Sequence, residues 1–429
     1  MPSKLNPKTQ HVEFGGPLGV ISITVGLALV IEFLFFSCNG NGCSLPVKKE
    51  IWANIWRQVA STRLISWHAF YAYTYWLLGL VIIDQYIAGS KVRGTQLRDG
   101  SYLEYKFNGR TVLVLLASVL LVRYFISGGQ MAELSFVYDN FIELANVSML
   151  YAFGISTWLY LRSFTLAEGK ERMLAVGGNT GNPIYDWFIG RELNPRVGKL
   201  DIKTFLEMRP GLLLWSIINL ANMHHQYMRI GRVTDSMLMV CVFQIYYVAE
   251  GIWWESGIVS MIDITFDGLG YMLVFGDISL VPFTYTLQTR YLSTHTVDLG
   301  FLKCLGILAV YFTGMYIFRS ANNEKGRFKA NHPSTSHLKY IETPTGSKLL
   351  VSGWWGVARH INYTGDWIMS LGYCLPCGCV AMAYYYMVYF AALLIHREQR
   401  DEAKCSQKYK ETWTEYKKRV PYRFIPGVW

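Results

Sequence analysis

The sequence predicts an all-α polytopic membrane protein of about ten transmembrane helices, and three observations carry that prediction. The chain is 52% hydrophobic and 15% aromatic but only 16% charged, where soluble domains carry about a quarter charged residues. A bilayer core about 30 Å thick takes roughly 20 mostly apolar residues per helix, and such stretches recur along all 429 residues. The basic residues behind the net charge of +10 fall in short loops between those stretches and in the last thirty or so residues. That placement suits membrane topology better than a nucleic-acid surface.

The elements follow in order. Residues 1–16 form a short polar N-terminus with no apolar region directly after its basic residues, so the first apolar stretch is expected to stay as a helix rather than leave as a signal peptide. Spans are expected at about 17–38, 66–88, 111–128, 136–162, 210–230, 234–254, 257–281 and 298–319. The last apolar stretch, 366–395, is too long for one helix, and Pro376 with its flanking glycines splits it into a tight helical hairpin. Residues 89–110 alternate polar and apolar around Arg98, Asp99 and Gly100, which predicts a small β-hairpin outside the bilayer. The long loops, 163–208 and 320–365, are where binding chemistry is expected. Because the final hairpin enters and leaves on one side, the loop 320–365 and the tail after His396 share a face, and its basic residues assign it to the cytosol. Cys374, Cys377 and Cys379 have no acidic or His partners nearby; zinc wants four converging ligands, so packing is expected and no metal. Cys38 and Cys43 can pair only in an oxidising lumen, and the sequence leaves both states open.

A phosphate-bearing cofactor needs a home, yet no Gly-x-Gly-x-x-Gly follows a strand. The Gly177–Gly181 stretch lacks both the strand and the spacing. The alternative is a polar cleft at helix ends, where basic side chains hold phosphates and aromatic ones cover flat rings. Lys325, Arg327 and Lys329 could serve there, as could Trp354, Trp355, Asn362 and Tyr363. Read alone, the basic trio also suits a positive-inside flank and the tryptophans an interfacial belt. Asp401, Cys405 and Tyr409 recur every four residues and so share one helix face. Polar residues inside spans are functional candidates because each is costly in lipid unless partnered. Here they include His224, Gln244, Tyr247, Glu250, Glu255, Asp267 and Asp277, several of which are expected simply to pair. Gly268 and Gly270 would admit either a flat ring system or a neighbouring helix.

The block GNPIYDWFIGRELNPR at 181–196 matches the first signature of the sterol reductase family. LIHREQRD at 394–401, followed by Cys405 and Lys408-Tyr409, matches the second, with Lys410 where the family usually places Gly. GDISLVPFTYTLQTRYL at 276–292 resembles the family's core. From Leu5 to Trp429 the chain therefore resembles that family, which is related to the membrane domain of the lamin B receptor. Its opening, LNPKTQHVEFGGPLG, resembles fungal C-14 reductases in particular.

The resemblance implies a single membrane domain over 1–429 in the endoplasmic reticulum, with a cofactor-binding part at 320–429. It implies NADPH as cofactor, held by Lys325, Lys329, Leu350, Trp355, Asn362, Tyr363, Asp401, Cys405 and Tyr409. The implied reaction saturates the C14=C15 bond of a sterol in ergosterol biosynthesis; the C-7 or C-24(28) bond is the alternative, and a non-enzymatic sterol-binding or nuclear-envelope scaffold the alternative of another class. Saturating an alkene needs a proton donor as well as a hydride, and Tyr247, Asp401 and Glu250 are the catalytic candidates. Tyr247 is favoured as donor, with Asp401 near the cofactor. The sterol is expected to enter sideways from the membrane lipid near spans six to eight. Other sterol-biosynthesis enzymes are conceivable partners; nucleic acid is not.

Overall fold

Among the described residues, five helices are long and apolar enough to cross a membrane: Gly16–Ser37, Gly109–Ile126, Phe141–Arg162, Asp235–Trp253 and Phe301–Lys329. Large apolar side chains such as Leu18, Leu29, Phe125 and Phe301 stand exposed on them, as lipid-facing helices require. The computed structural model describes residues 5–40, 42–167, 169, 171–344 and 346–428. They form two units, Met1–Val233 with Cys241–His295, and Thr234–Val240 with Thr296–Trp429.

In the first unit, α1 (Gly16–Ser37) leads into a two-residue ribbon, β1 (Cys38–Asn39) and β2 (Gly42–Cys43), closed by a Cys38–Cys43 disulfide. Then follow α2 (Lys49–Ser61), α3 (Trp67–Tyr86) and the antiparallel hairpin of β3 (Ser90–Gln96) and β4 (Tyr102–Phe107), where the alternation predicted it. Next come α4 (Gly109–Ile126), α5 (Ala132–Asp139) and α6 (Phe141–Arg162). The span expected at 136–162 is thus broken at Asn140, whose side chain donates to Phe136 O at 2.9 Å and competes with the helix ladder.

The family block folds as α7 (Pro183–Ile189), a short ribbon β5 (Arg196–Val197) and β6 (Leu200–Asp201), and α8 (Ile202–Met208). Asn182 caps α7 by accepting from the amides of Ile184 and Tyr185. Behind these lie α9 (Pro210–Ile230) and α10 (Asp235–Trp253). Buried side chains of α9, α10 and the later helix Leu287–Thr294 make one polar network: Gln244 of α10 accepts from Trp215 Nε1 at 2.9 Å and Asn219 Nδ2 at 2.8 Å, and donates to Gln288 and to Tyr285 O. An unmet polar group in hydrocarbon costs several kcal/mol, so the partners explain how Gln244 is tolerated.

The expected single span at 257–281 is not one helix. The chain there runs through a 3₁₀ segment at Glu255–Ser260, α11 (Ile262–Thr265), α12 (Tyr271–Phe275), one π-helical turn at Gly276–Leu280, α13 (Val281–Thr284) and α14 (Leu287–Thr294). The cause is packing. A Cβ on Gly268 would lie 1.9 Å from Gly190 O, and one on Gly270 2.2 Å from Gly190 N. The two glycines therefore admit the backbone after α7, which decides between the two roles left open for them.

The second unit begins with α15 (Phe301–Lys329), ten residues longer than the expected span end at 319, because the polar sequence Ser320–Lys329 continues the helix. A hairpin of β7 (Tyr340–Glu342) and β8 (Lys348–Leu350) and the short α16 (Trp354–Val357) follow. The expected helical hairpin is present as α17 (Ile361–Cys374) and α18 (Tyr385–Tyr409), broken around Pro376. Cys374 and Cys377 are buried at the break. Finally α19 (Glu411–Arg419) precedes a tail that returns over the start of α17: Arg359 Nη1 donates to Val420 O at 2.8 Å and Pro421 O at 2.9 Å, and His360 N to Arg423 O at 2.9 Å.

Candidate functional site: a cationic, aromatic-walled cleft

The tail's return closes a cleft of about 720 Å³ in the second unit, inside the range of about 300–1,000 Å³ typical of small-molecule sites. One wall is the end of α15, where Lys325 and Lys329 stand four residues apart on one face. Arg327 points elsewhere and lines a separate recess with His337 and Trp354. The trio lies within the helix rather than in a loop beyond it, and this splits it. Lys325 Nζ sits 3.8 Å over the ring of Trp355, a cation–π contact. Trp355 is fixed in turn by its Nε1 donating to Ala321 O at 2.8 Å. Gly353, at φ +64°, lets the chain turn into α16; a Cβ there would meet Glu324 Oε2 at 2.4 Å, and that carboxylate accepts from Trp354 N.

The β-hairpin contributes Leu350, which is buried with Leu338 and Trp355. From α17 come Asn362 and Tyr363, and from α18 Asp401, Cys405, Lys408 and Tyr409. Tyr363 OH donates to Asp401 Oδ2 at 3.2 Å. Burial pushes the Asp401 carboxyl up from the usual carboxylate range, against the pull of Arg397 and of the Tyr363 hydrogen bond. Burial likewise pushes the Cys405 thiol up to about 11, so it is no thiolate nucleophile at neutral pH. The His360 imidazole is pushed down to about 3, by burial first and then by Lys325 and Arg359.

All nine residues carried over for cofactor binding thus face one cleft. Lys348, Arg359, His360, Trp413 and Tyr416 line it as well and were not singled out from sequence. The only signal for the last two was their place in a basic, aromatic tail, and nothing local told that the tail folds back. Two buried polar atoms of the wall, Asn362 Oδ1 and Arg359 Nε, have no hydrogen-bond partner among the described residues. Lys410 has φ +48° at the turn between α18 and α19.

Tyr247 and Glu250 belong to the first unit. Both are half-buried on α10, three residues apart and so on adjoining positions of one face, and Tyr247 lies 6.0 Å from the Trp215 ring. Glu255, another intramembrane candidate, is committed to structure: it pairs with Arg209 at 2.6 Å and accepts from Gly109 N at 2.6 Å.

Membrane-length apolar helices together with a cleft of lysines and aromatic rings define a polytopic membrane protein whose site suits an anionic, ring-bearing ligand. The chain belongs to the Ergosterol biosynthesis ERG4/ERG24 family, which matches it over residues 8–429. It is 46% identical to the Delta(14)-sterol reductase ERG24 of Candida albicans, covering 100% of this chain and 99% of that one. It is 45% identical to the Delta(14)-sterol reductase ERG24 of Saccharomyces cerevisiae, covering 100% of both. Against the Delta(14)-sterol reductase erg24 of Schizosaccharomyces pombe the identity is 44%, with 97% of each covered.

Proposed function

We propose that the chain is a Δ14-sterol reductase of the endoplasmic reticulum membrane, saturating the C14=C15 bond of an ergosterol precursor with NADPH bound in the cleft of the second unit. Likeness to Δ14-sterol reductases along the whole chain is the observation that carries this reading. About ten spans, with the cleft on the cytosolic side, agree with the lysine- and arginine-rich tail beyond His396. Residues 320–429 are the cofactor-binding part.

The cleft's chemistry fits a nicotinamide dinucleotide phosphate. Lys325, Lys329 and Lys408 offer positive charge to phosphates, Trp355, Tyr363 and Tyr409 offer flat faces to rings, and the free acceptor Asn362 Oδ1 and donor Arg359 Nε offer polar partners. When bound, NADPH supplies the hydride. The protein's part is to hold and deliver a proton. Asp401, kept protonated further up the pH scale by burial, is held by the Tyr363 hydroxyl at the cleft wall and governs the proton inventory beside the cofactor. Tyr247 is the donor to the sterol carbon, with Glu250 next to it on α10 to hold its phenol in place.

The test is turnover by purified protein of a C14=C15 sterol with NADPH, read by mass spectrometry of the products. We expect the saturated sterol, dependent on NADPH, and a loss of roughly 10²–10⁴-fold in kcat for Tyr247→Phe with the melting temperature kept. Turnover of only a C-7 or C-24(28) alkene would overturn the choice of bond. A Tyr247→Phe variant at normal rate would remove Tyr247 from the mechanism.

A further inference from the structure

The first unit holds a second cavity, of about 700 Å³, whose walls are of a different kind from those of the cleft. One wall is a stripe of α4 at helical spacing, Leu113, Leu116, Leu120 and Tyr124; the facing wall is a stripe of α9 from Leu213 to Tyr227. The two helices run side by side in the same direction: they start together, where Arg209 just before α9 donates to Asn108 Oδ1 at 3.1 Å just before α4, and further on Leu120 and Ala221 join one apolar cluster. Helix α4 is tied at its ends. Gly109 N donates to Glu255 and Arg110 to Trp253 O at one end, and Arg123 pairs with Glu133 at 2.7 Å at the other, where Leu120 packs on Met131 and Leu134. Between the ties α4 stands away from α9 and leaves a slot. From Leu113 to Tyr124 the slot runs roughly 17 Å at 1.5 Å per residue.

The polarity of the slot is one-sided. Among the described residues no Lys, Arg, Asp or Glu lines it, so it offers nothing to neutralise a phosphate headgroup. Apart from Trp76, whose Nε1 is spent on Pro210 O, and Ser216 midway along α9, its polar side chains, His224, Tyr227 and Tyr124, belong to the C-terminal turns of α9 and α4. The ring nitrogens of half-buried His224 make no hydrogen bond to any described residue. An ionisable residue inside a span without a partner in the protein is a ligand-binding candidate by default. The occupant this describes is neutral, apolar along its length, and tipped at one end by a single hydroxyl.

We propose that the slot between α4 and α9 is a sterol-binding site, in which the sterol lies lengthwise with its 3-hydroxyl hydrogen-bonded to His224. A phospholipid acyl chain would fill the same volume but would leave His224 unmet and bring a phosphate to a wall without cations. The proposal concerns binding alone, so it can fail while the reductase reading stands, and the reverse.

The experiment uses the full chain in lipid nanodiscs with a photoreactive sterol bearing a ring diazirine and a free 3-hydroxyl, with adducts mapped by mass spectrometry. Adducts are expected on Leu116, Leu120 and Ile217, suppressed by excess ergosterol and not by excess phosphatidylcholine. Filling the slot with Ala117→Trp should abolish those adducts. His224→Phe keeps the volume but should weaken competition by ergosterol about tenfold, the effect of one lost hydrogen bond, while leaving competition by the 3-methyl ether unchanged. Adducts only on outward faces of the helices, equal labelling by a photoreactive phosphatidylcholine, or a His224→Phe variant that still prefers the free hydroxyl would each overturn the proposal. Should Ala117→Trp fail to fold, the His224→Phe comparison decides alone.

Discussion

The two blocks that mark the family do opposite work. In the first, at 181–196, most polar groups are spent on their own neighbourhood, although Glu192 Oε2 and Arg196 Nη2 lack a hydrogen-bond partner among the described residues. Asp186, 1% exposed, accepts from Thr180 N at 2.9 Å, Thr180 Oγ1 at 2.7 Å and Gly181 N at 2.9 Å, and Arg191 stands 3.5 Å away. Glu192 pairs with Arg172 at 3.0 Å, and Arg196 with Asp201 at 2.8 Å. In the second, at 394–409, Asp401, Cys405 and Tyr409 turn toward a cleft whose wall keeps unmet polar atoms. A motif of many fixed positions therefore identifies a family without saying which of its residues line a cleft; where each side chain stands in the fold says that.

Four substitutions or conditions sharpen this contrast. The largest effect should come from Asp401→Asn: kcat should fall roughly 10²–10⁴-fold while the melting temperature stays within a few degrees, since Asn keeps an acceptor for Tyr363. Near-wild-type kcat would move the chemistry elsewhere. Asp186→Ala should do the reverse, costing roughly 3–5 kcal/mol of stability by stranding buried donors and Arg191, seen as a large drop in melting temperature. Cofactor affinity of the surviving folded protein should be unchanged.

Acid should act on the cleft next. His360 is depressed to about 3, against about 6.5 when unfolded. Below the unfolded value the unfolded chain takes up a proton that the folded one refuses, so stability is full above about pH 6.5 and declines as pH falls toward 3. At pH 5.5 the loss should be about 1 kcal/mol, and His360→Asn should flatten that part of a melting-temperature profile. The smallest effect belongs to Lys410. Its φ of +48° costs a non-glycine residue of order 1 kcal/mol, so Lys410→Gly should raise stability by about that much and leave turnover alone. A fall in melting temperature would mean that the lysine side chain compensates its own strain.

Much of the architecture was legible because it rests on local rules. Apolar length gave α1 to within a residue, alternation gave the β3–β4 hairpin, and Pro376 gave the break between α17 and α18. The misplaced span at 257–281 depended on a partner far off in sequence: the glycines at 268 and 270 look like ordinary small residues of an apolar helix until Gly190 arrives against them. The site divided in the same way. Residues on helix faces, such as Lys325 and Lys329 or Asp401, Cys405 and Tyr409, could be grouped by a four-residue period. Arg359, His360, Trp413 and Tyr416 join them only because backbone carbonyls of Val420 and Pro421 capture Arg359, a long-range event without a local pattern. Even the odd Lys410 was visible as a departure, but its meaning needed the backbone angle.

The length of α15 bears on how such an enzyme works at a phase boundary. Twenty-nine residues make a rod of about 43 Å at 1.5 Å per residue, against a hydrocarbon layer of about 30 Å. Its last turns, bearing Lys325 and Lys329, therefore reach past the oil into the headgroup layer and the water beyond. One rigid element spans both media; with the reductant in the cleft as proposed, it would dock on the tip of α15 while the lower turns stay in the solvent that dissolves the substrate. The two reactants need never share a phase before they share a protein.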